Sequence, residues 1–130
     1  MTRLTLAVAL LLALVANGCG DGDLGGSGRE VTTLGLDLFN ERVVGTSPGC
    51  ITCHSLDENV TLVGPSLFGL GARAGVQVSG LSAAEYVRES IVDPDAYVVE
   101  GFGAGLMVSV WGETLTEEQI DSLVEALLDL

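Results

Sequence analysis

The chain has 130 residues, enough for one small domain, and a formal net charge of −13 at neutral pH. All five of its cations are arginines, so the acidic, lysine-free surface argues against binding nucleic acid or adhering electrostatically to anionic lipid. The acidity either serves solubility alone or receives a partner protein that presents a basic surface.

The first 18 residues have the pattern of an export signal. Arg3 supplies a short positive segment, and a continuous apolar run from Leu4 to Ala16 follows it. That run is short for a membrane span and suits the hydrophobic region of a signal peptide. The small residues before Cys19 resemble the cleavage site of bacterial lipoproteins, in which the cysteine becomes the first mature residue and is lipidated. An ordinary signal peptide with a spare cysteine and an uncleaved signal anchor are the alternatives.

Residues 19–32 are rich in glycine and are predicted to form a flexible tether. The folded domain is expected over residues 33–130, with a first helix over residues 33–44. Three apolar residues at helical spacing are expected to direct that helix toward the core: Leu34, Leu38 and Phe39.

The run Cys50-Ile51-Thr52-Cys53-His54 follows this helix. The spacing C-x-x-C-H is typical of a covalent attachment site for c-type haem. Each thiol can form a thioether with a haem vinyl group, and His54 can bind the iron from one face. A tetrahedral zinc site needs four ligands, whereas this run offers three, two of them adjacent in sequence. A thioredoxin-like site would need a βαβ context, so we expect one covalently bound haem c.

Two later helices are predicted from capping boxes at their N-termini. Ser82-Ala83-Ala84-Glu85 opens a helix that runs to about Val92, where Asp93-Pro94 ends it. Thr116-Glu117-Glu118-Gln119 opens the last helix. Its apolar residues recur at helical spacing and predict a buried face of Ile120, Leu123, Val124, Leu127 and Leu128.

A glycine-rich loop from Gly101 to Met107 precedes the last predicted helix. Glycine relaxes the backbone limits, so such a loop can approach a flat cofactor closely. A lone methionine usually fills a core. This chain has one histidine and no lysine, however, so Met107 is the only strong-field side chain left in the mature domain to bind the iron opposite His54.

In the order of these motifs, residues 33–130 resemble the class I c-type cytochromes, and in particular the cytochrome c domains associated with bacterial terminal oxidases. The resemblance implies an all-α fold in which the first and last helices cross and helices and loops wrap around one covalent haem. It also implies that the carbonyl of Pro65 accepts a hydrogen bond from Nδ1 of His54. Where the family commonly has proline after the methionine, this chain has Val108.

The same resemblance places three other side chains near the haem, each with a plainer alternative. Arg73 stands where the family often keeps a cation near the haem propionates, or it is simply solvated. Tyr97 lies near the haem edge or packs in the core. Trp111 covers the haem or contacts a propionate, or it serves packing alone.

Histidine and methionine ligation suits one-electron transfer and leaves the iron no open position. The resemblance therefore implies an electron carrier, not an enzyme with a small-molecule substrate. Lipidated at Cys19, it would sit on the outer, periplasmic face of the cytoplasmic membrane and serve respiratory or photosynthetic complexes, donating to a terminal oxidase or reductase. A fixed haem subunit of a membrane redox complex and a gas sensor with a labile methionine ligand remain as alternatives.

Overall fold

The computed structural model describes residues 26–130. The expected export signal, Cys19 and the first part of the tether lie outside this range. Within it the chain is mainly helical, and its strands form one two-stranded antiparallel ladder. The α-helices are α1 (Gly26–Asn40), α2 (Leu70–Arg73), α3 (Ala83–Val92), α4 (Trp111–Thr114) and α5 (Glu117–Leu128). Among the helices of residues 26–130, none is long and apolar enough to cross a membrane.

The bounds of α1 differ from the prediction. The helix begins at Gly26 instead of residue 33 and ends at Asn40 instead of residue 44, so residues 26–32, which the sequence assigned to the tether, are helical. The hydroxyl of Thr32 donates a hydrogen bond to Oδ2 of Asp129, 3.3 Å away, beyond the end of the last helix. Tertiary contact of this kind extends a helix into a glycine-rich stretch whose own propensity disfavours it.

A short hairpin takes the place of the predicted last turn of α1. Strands β1 (Val43–Val44) and β2 (Ser47–Pro48) pair antiparallel. Gly45 begins the two-residue turn between them at φ 61°, a conformation that favours glycine. The amide of Gly49 then donates to the carbonyl of Arg42, at 2.9 Å, and the chain leaves this hairpin directly into Cys50.

α1 and α5 cross in close contact at Gly35. A Cβ atom there would lie 2.0 Å from the carbonyl oxygen of Ser122 and 2.7 Å from Cβ of Ala126, so only glycine fits. Phe39, one turn further along α1, is 1% exposed. Leu34 is 56% exposed, and the prediction that it packs inward is wrong, because the crossing is made through Gly35.

α3 and α5 begin at the predicted capping boxes. The amide of Ser82 donates to Oε2 of Glu85 at 2.8 Å, and the amide of Glu85 donates back to the Ser82 hydroxyl at 3.3 Å. Thr116 and Gln119 form the matching pair at α5. Each box satisfies two amides that would otherwise lack a partner in the first turn.

The apolar faces of α1, α3 and α5 meet in one core, together with α2 and α4. The predicted stripe of α5 is buried, except that Leu128 is only partly so. Arg88 of α3 adds two exposed ion pairs to α5, one to Glu117 at 2.8 Å and one to Asp121. The core forms one side of a cleft, which contains the residues of the C-x-x-C-H run.

Candidate cofactor site

A large cleft opens beside the core. It encloses about 1110 Å³ of space free of protein atoms, counted out to its open mouth. Its walls are mostly apolar, and the aromatic residues among them are Phe39, Tyr86, Tyr97, Phe102 and Trp111.

Cys50, Cys53 and His54 all line this cleft. A 3₁₀ turn over Cys50–Thr52 brings them together, since the amides of Cys53 and His54 both donate to the carbonyl of Cys50, at 3.1 and 2.9 Å. The hydroxyl of Thr52 closes the start of the turn by donating to the carbonyl of Gly49 at 2.6 Å. The two cysteines carry free thiols and are not joined by a disulfide.

The two thiols sit in a partly buried setting. Burial raises the pKa of Cys50, the nearby Cys53 adds to the rise, and a backbone hydrogen bond acts against it. Cys50 is therefore a protonated thiol at neutral pH. A protonated thiol is a weak nucleophile, so the burial of Cys50 disfavours spontaneous redox chemistry at this residue.

The imidazole of His54 is fixed by one hydrogen bond. Its Nδ1 lies 2.9 Å from the carbonyl oxygen of Pro65, which has no hydrogen to give, so Nδ1–H is the donor. Burial lowers the pKa of His54, and the bond to Pro65 offsets this only in part. The ring is thus neutral at neutral pH, and its Nε2 lone pair is available. Neutral imidazole with the other nitrogen bonded to a carbonyl is the usual form of a metal-binding histidine.

The backbone at Gly64 packs against the face of this imidazole. A Cβ atom on Gly64 would lie 2.5 Å from Cε1 of His54 and 3.0 Å from Nε2. The amide of Gly64 donates to the carbonyl of Cys53 at 2.8 Å, and the amide of Leu67 donates to that of Ser55 at 2.8 Å. The segment that carries Pro65 is therefore tied along its length to the segment that carries His54.

Arg73 holds the same segment from its other side. Its guanidinium donates to the carbonyl of Ser66 at 2.7 Å and to the carbonyl of Phe68. The side chain is partly buried and does not line the cleft. The backbone contacts of this residue were not predicted, because a carbonyl has no signature in sequence.

Met107 lines the same cleft as His54. It is partly buried and packs against the hydrophobic core, whereas its neighbours Leu106 and Val108 are exposed. The loop from Gly101 thus presents two partly buried side chains to the cleft before Trp111, Phe102 and Met107. The structure brings the two cysteines, the histidine and this methionine to a single cavity.

Tyr97 and Trp111 both line the cleft. Trp111 is 3% exposed at the start of α4. Tyr97 packs edge-on against Tyr86, with ring centroids 5.8 Å apart and planes at 75°. Burial raises the pKa of Tyr86, while a hydrogen bond with Ser90 acts in the opposite direction, so the phenol stays protonated. The sequence analysis did not assign Tyr86 to the site.

These residues fit a covalently attached haem. Two thiols on one short turn, a neutral imidazole and a thioether sulfur share a cleft with apolar walls. In haem c proteins two thiols attach the haem covalently and an imidazole binds its iron. Histidine with methionine is one of the common pairs of iron ligands. Among residues 26–130, no three His, Cys, Asp or Glu side chains are grouped as a metal ion would require.

Comparison with protein-family models gives no match to this chain, and comparison with curated proteins finds no significantly similar sequence. We infer function from the residues that line the cleft. Their chemistry is two thiols, one imidazole and one thioether sulfur within a mainly apolar wall.

Proposed function

We propose that the protein is a membrane-tethered c-type cytochrome with one haem, which carries single electrons and has no substrate of its own. The observation that carries this proposal is the meeting of Cys50, Cys53, His54 and Met107 on one apolar cleft. These are the side chains needed to attach a haem twice and to bind its iron from both faces.

The haem, when bound, supplies a reversible one-electron couple at its iron. Cys50 and Cys53 hold it at the cleft through thioether bonds. His54 offers Nε2 as a ligand because its Nδ1–H is donated to Pro65 and burial keeps the ring neutral. Met107 offers its sulfur, a soft ligand that favours the reduced state and raises the potential.

The wall of the cleft excludes water from the site. Phe39, Tyr86 and Trp111 are buried beside it, and a dry wall of low polarity favours the state of lower charge. If His54 and Met107 both bound the iron, the site would have no place for a substrate. Electron transfer without bond making is the chemistry that remains.

The mouth of the cleft suits brief contact with another protein. Val63 and Leu106 line it and are 54% and 53% exposed, so they form an apolar rim. The rest of the surface is acidic, in keeping with the net charge of −13. A partner with a basic surface would be steered to it at a rate that falls with added salt.

The tether part of the proposal depends on the N-terminus. The pattern of residues 1–18 followed by Cys19 favours export and lipidation. Acyl chains on Cys19 would hold the domain on the outer face of the cytoplasmic membrane, since each buried methylene adds about 0.8 kcal/mol.

Ligand-binding spectroscopy tests the proposal. The full chain is produced in a bacterial host that attaches c-type haem, and the wild type is compared with Met107→Ala and with Leu106→Ala as the neighbouring control. We expect a ferric Met–iron charge-transfer band in the wild type and the control only, and carbon monoxide binding by reduced Met107→Ala only. Rapid carbon monoxide binding by reduced wild type would contradict the carrier and favour a gas sensor.

A further inference from the structure

The loop that carries Met107 has few bonds to the rest of the domain. Within the described part of the chain, residues 103–109 take part in one hydrogen bond, which the amide of Gly105 donates to Oδ1 of Asp95 at 2.8 Å. Gly101 and Gly105 have φ angles of 92° and 74°, conformations that glycine adopts and other residues rarely do. The loop therefore has a flexible backbone and one polar tie.

Apart from Met107 itself, which is partly buried against the core, packing adds little to hold this loop. Leu106 and Val108 on either side of Met107 are exposed, and a Cβ atom on Gly105 would meet nothing within 4 Å. Val108 also lacks the ring that would restrain φ at that position. The position of the Met107 sulfur thus depends on where the backbone two residues earlier is held.

Asp95 is well placed to hold it. The preceding Pro94 is buried, and the amide of Ala96 donates to the carbonyl of Asp93 at 3.0 Å in a tight turn. The amide of Asp93 in turn donates to Glu89 at the end of α3, at 2.8 Å. Backbone hydrogen bonds therefore connect the turn that carries Asp95 to the end of α3. Tyr86, Val87 and Ile91 of that helix are buried in the core.

We propose that Asp95 is a positioning residue for Met107: its carboxylate ties the 103–109 loop to the end of α3 and so keeps the methionine sulfur at the cleft. This role rests on the proposed function, in which that sulfur binds the iron. Asp95 also lines the cleft, and the bond from the Gly105 amide is the only hydrogen bond of its side chain in the described structure. When this hydrogen bond is removed, the backbone of the loop can move, and an added ligand can replace Met107 at the iron.

The test is competition between Met107 and free imidazole in the ferric, haem-loaded protein. Asp95→Ala removes the acceptor of the hydrogen bond, and Asp95→Asn keeps an acceptor oxygen without the charge. Glu100→Ala is the control. It removes an exposed carboxylate from residues 95–101, between α3 and the loop, that makes no hydrogen bond in the described structure. We expect imidazole to bind Asp95→Ala about tenfold more tightly than the wild type, because a charge-assisted hydrogen bond is lost. Asp95→Asn should lie close to the wild type, and Glu100→Ala should match it.

Hydrogen exchange at the Gly105 amide provides a second readout that does not depend on redox activity. We expect this amide to be protected in the wild type and to exchange freely in Asp95→Ala, while core amides of α5 stay protected in both. Wild-type imidazole affinity in haem-loaded Asp95→Ala, or an equal gain in Glu100→Ala, would overturn the role of Asp95 and leave the proposed function standing. A chain that attaches no haem would refute the proposed function and, with it, this role.

Discussion

Nδ1 of His54 lies 2.9 Å from the carbonyl oxygen of Pro65, 11 residues along the chain. This contact sets the tautomer of the only histidine in the protein and leaves Nε2 available to a metal. The segment that carries this carbonyl is itself held, because Arg73 donates a hydrogen bond to the carbonyl of the next residue, Ser66, at 2.7 Å. The imidazole is thus oriented by the backbone of a segment that has its own supports.

The close packing of Gly64 on His54 predicts a large effect of a small substitution. In Gly64→Ala the new methyl group would stand 2.5 Å from Cε1 of the ring, and either the ring or the segment must move. Overpacking of this kind costs about 1–3 kcal/mol. We expect that loss in the free energy of unfolding of the haem-loaded protein, measured with denaturant, together with a shift of its reduction potential.

Gly75→Ala is the matched control for Gly64→Ala. Its added Cβ would lie 3.7 Å from Cβ of Ala83, an ordinary contact distance. The control should be neutral or stabilising, because alanine reduces the entropy of the unfolded chain by an amount worth about 0.4–1 kcal/mol. Equal stability and equal potential in the two variants would show that the Gly64 backbone does not constrain the imidazole.

The capping box of α3 predicts a pH dependence. Hydrogen bonds from the side chain and the amide of Ser82 hold the pKa of Glu85 below its ordinary value of 4.5. Because the pKa of Glu85 is lower in the folded state, its ionised form stabilises the fold. This contribution is fully present above pH 4.5, the ordinary value. It is lost as the pH falls through the lower pKa of the folded state.

Unfolding with urea between about pH 6 and pH 3 measures this contribution. Wild type should be more stable than Glu85→Gln at the upper end, and the difference should close at the lower end. Glu125→Gln removes an exposed carboxylate of α5 whose side chain makes no hydrogen bond in the described structure, so it should show no such closing gap. A difference between wild type and Glu85→Gln that stays constant with pH would contradict the account of the cap.

Those parts of the fold that depend on local chemistry could be predicted from the sequence. The capping boxes at Ser82 and Thr116 place the starts of α3 and α5, because each box satisfies amides within its own first turn. The buried face of α5 follows from spacing alone. The crossing of the first and last helices was implied by the resemblance, and its close contact at Gly35 depends on the small residues Ser122 and Ala126.

Features set by long-range contact were missed. Nothing local indicates that α1 begins at Gly26, since glycine disfavours a helix and the helix packs on α5 far along the chain. The bond from Gly105 to Asp95 and those from Arg73 to Ser66 and Phe68 end on backbone groups. Every residue carries such groups, so their partners become visible only once the fold brings them together.

The central claim is that Cys50 and Cys53 attach one haem, and intact-protein mass spectrometry tests it most directly. The chain is produced in a host that attaches c-type haem and is denatured before measurement, so that only covalent groups remain. We expect a mass increase of one haem in the wild type, and none in Cys50→Ala/Cys53→Ala produced in parallel. A wild-type protein with the mass of its polypeptide alone would contradict the account.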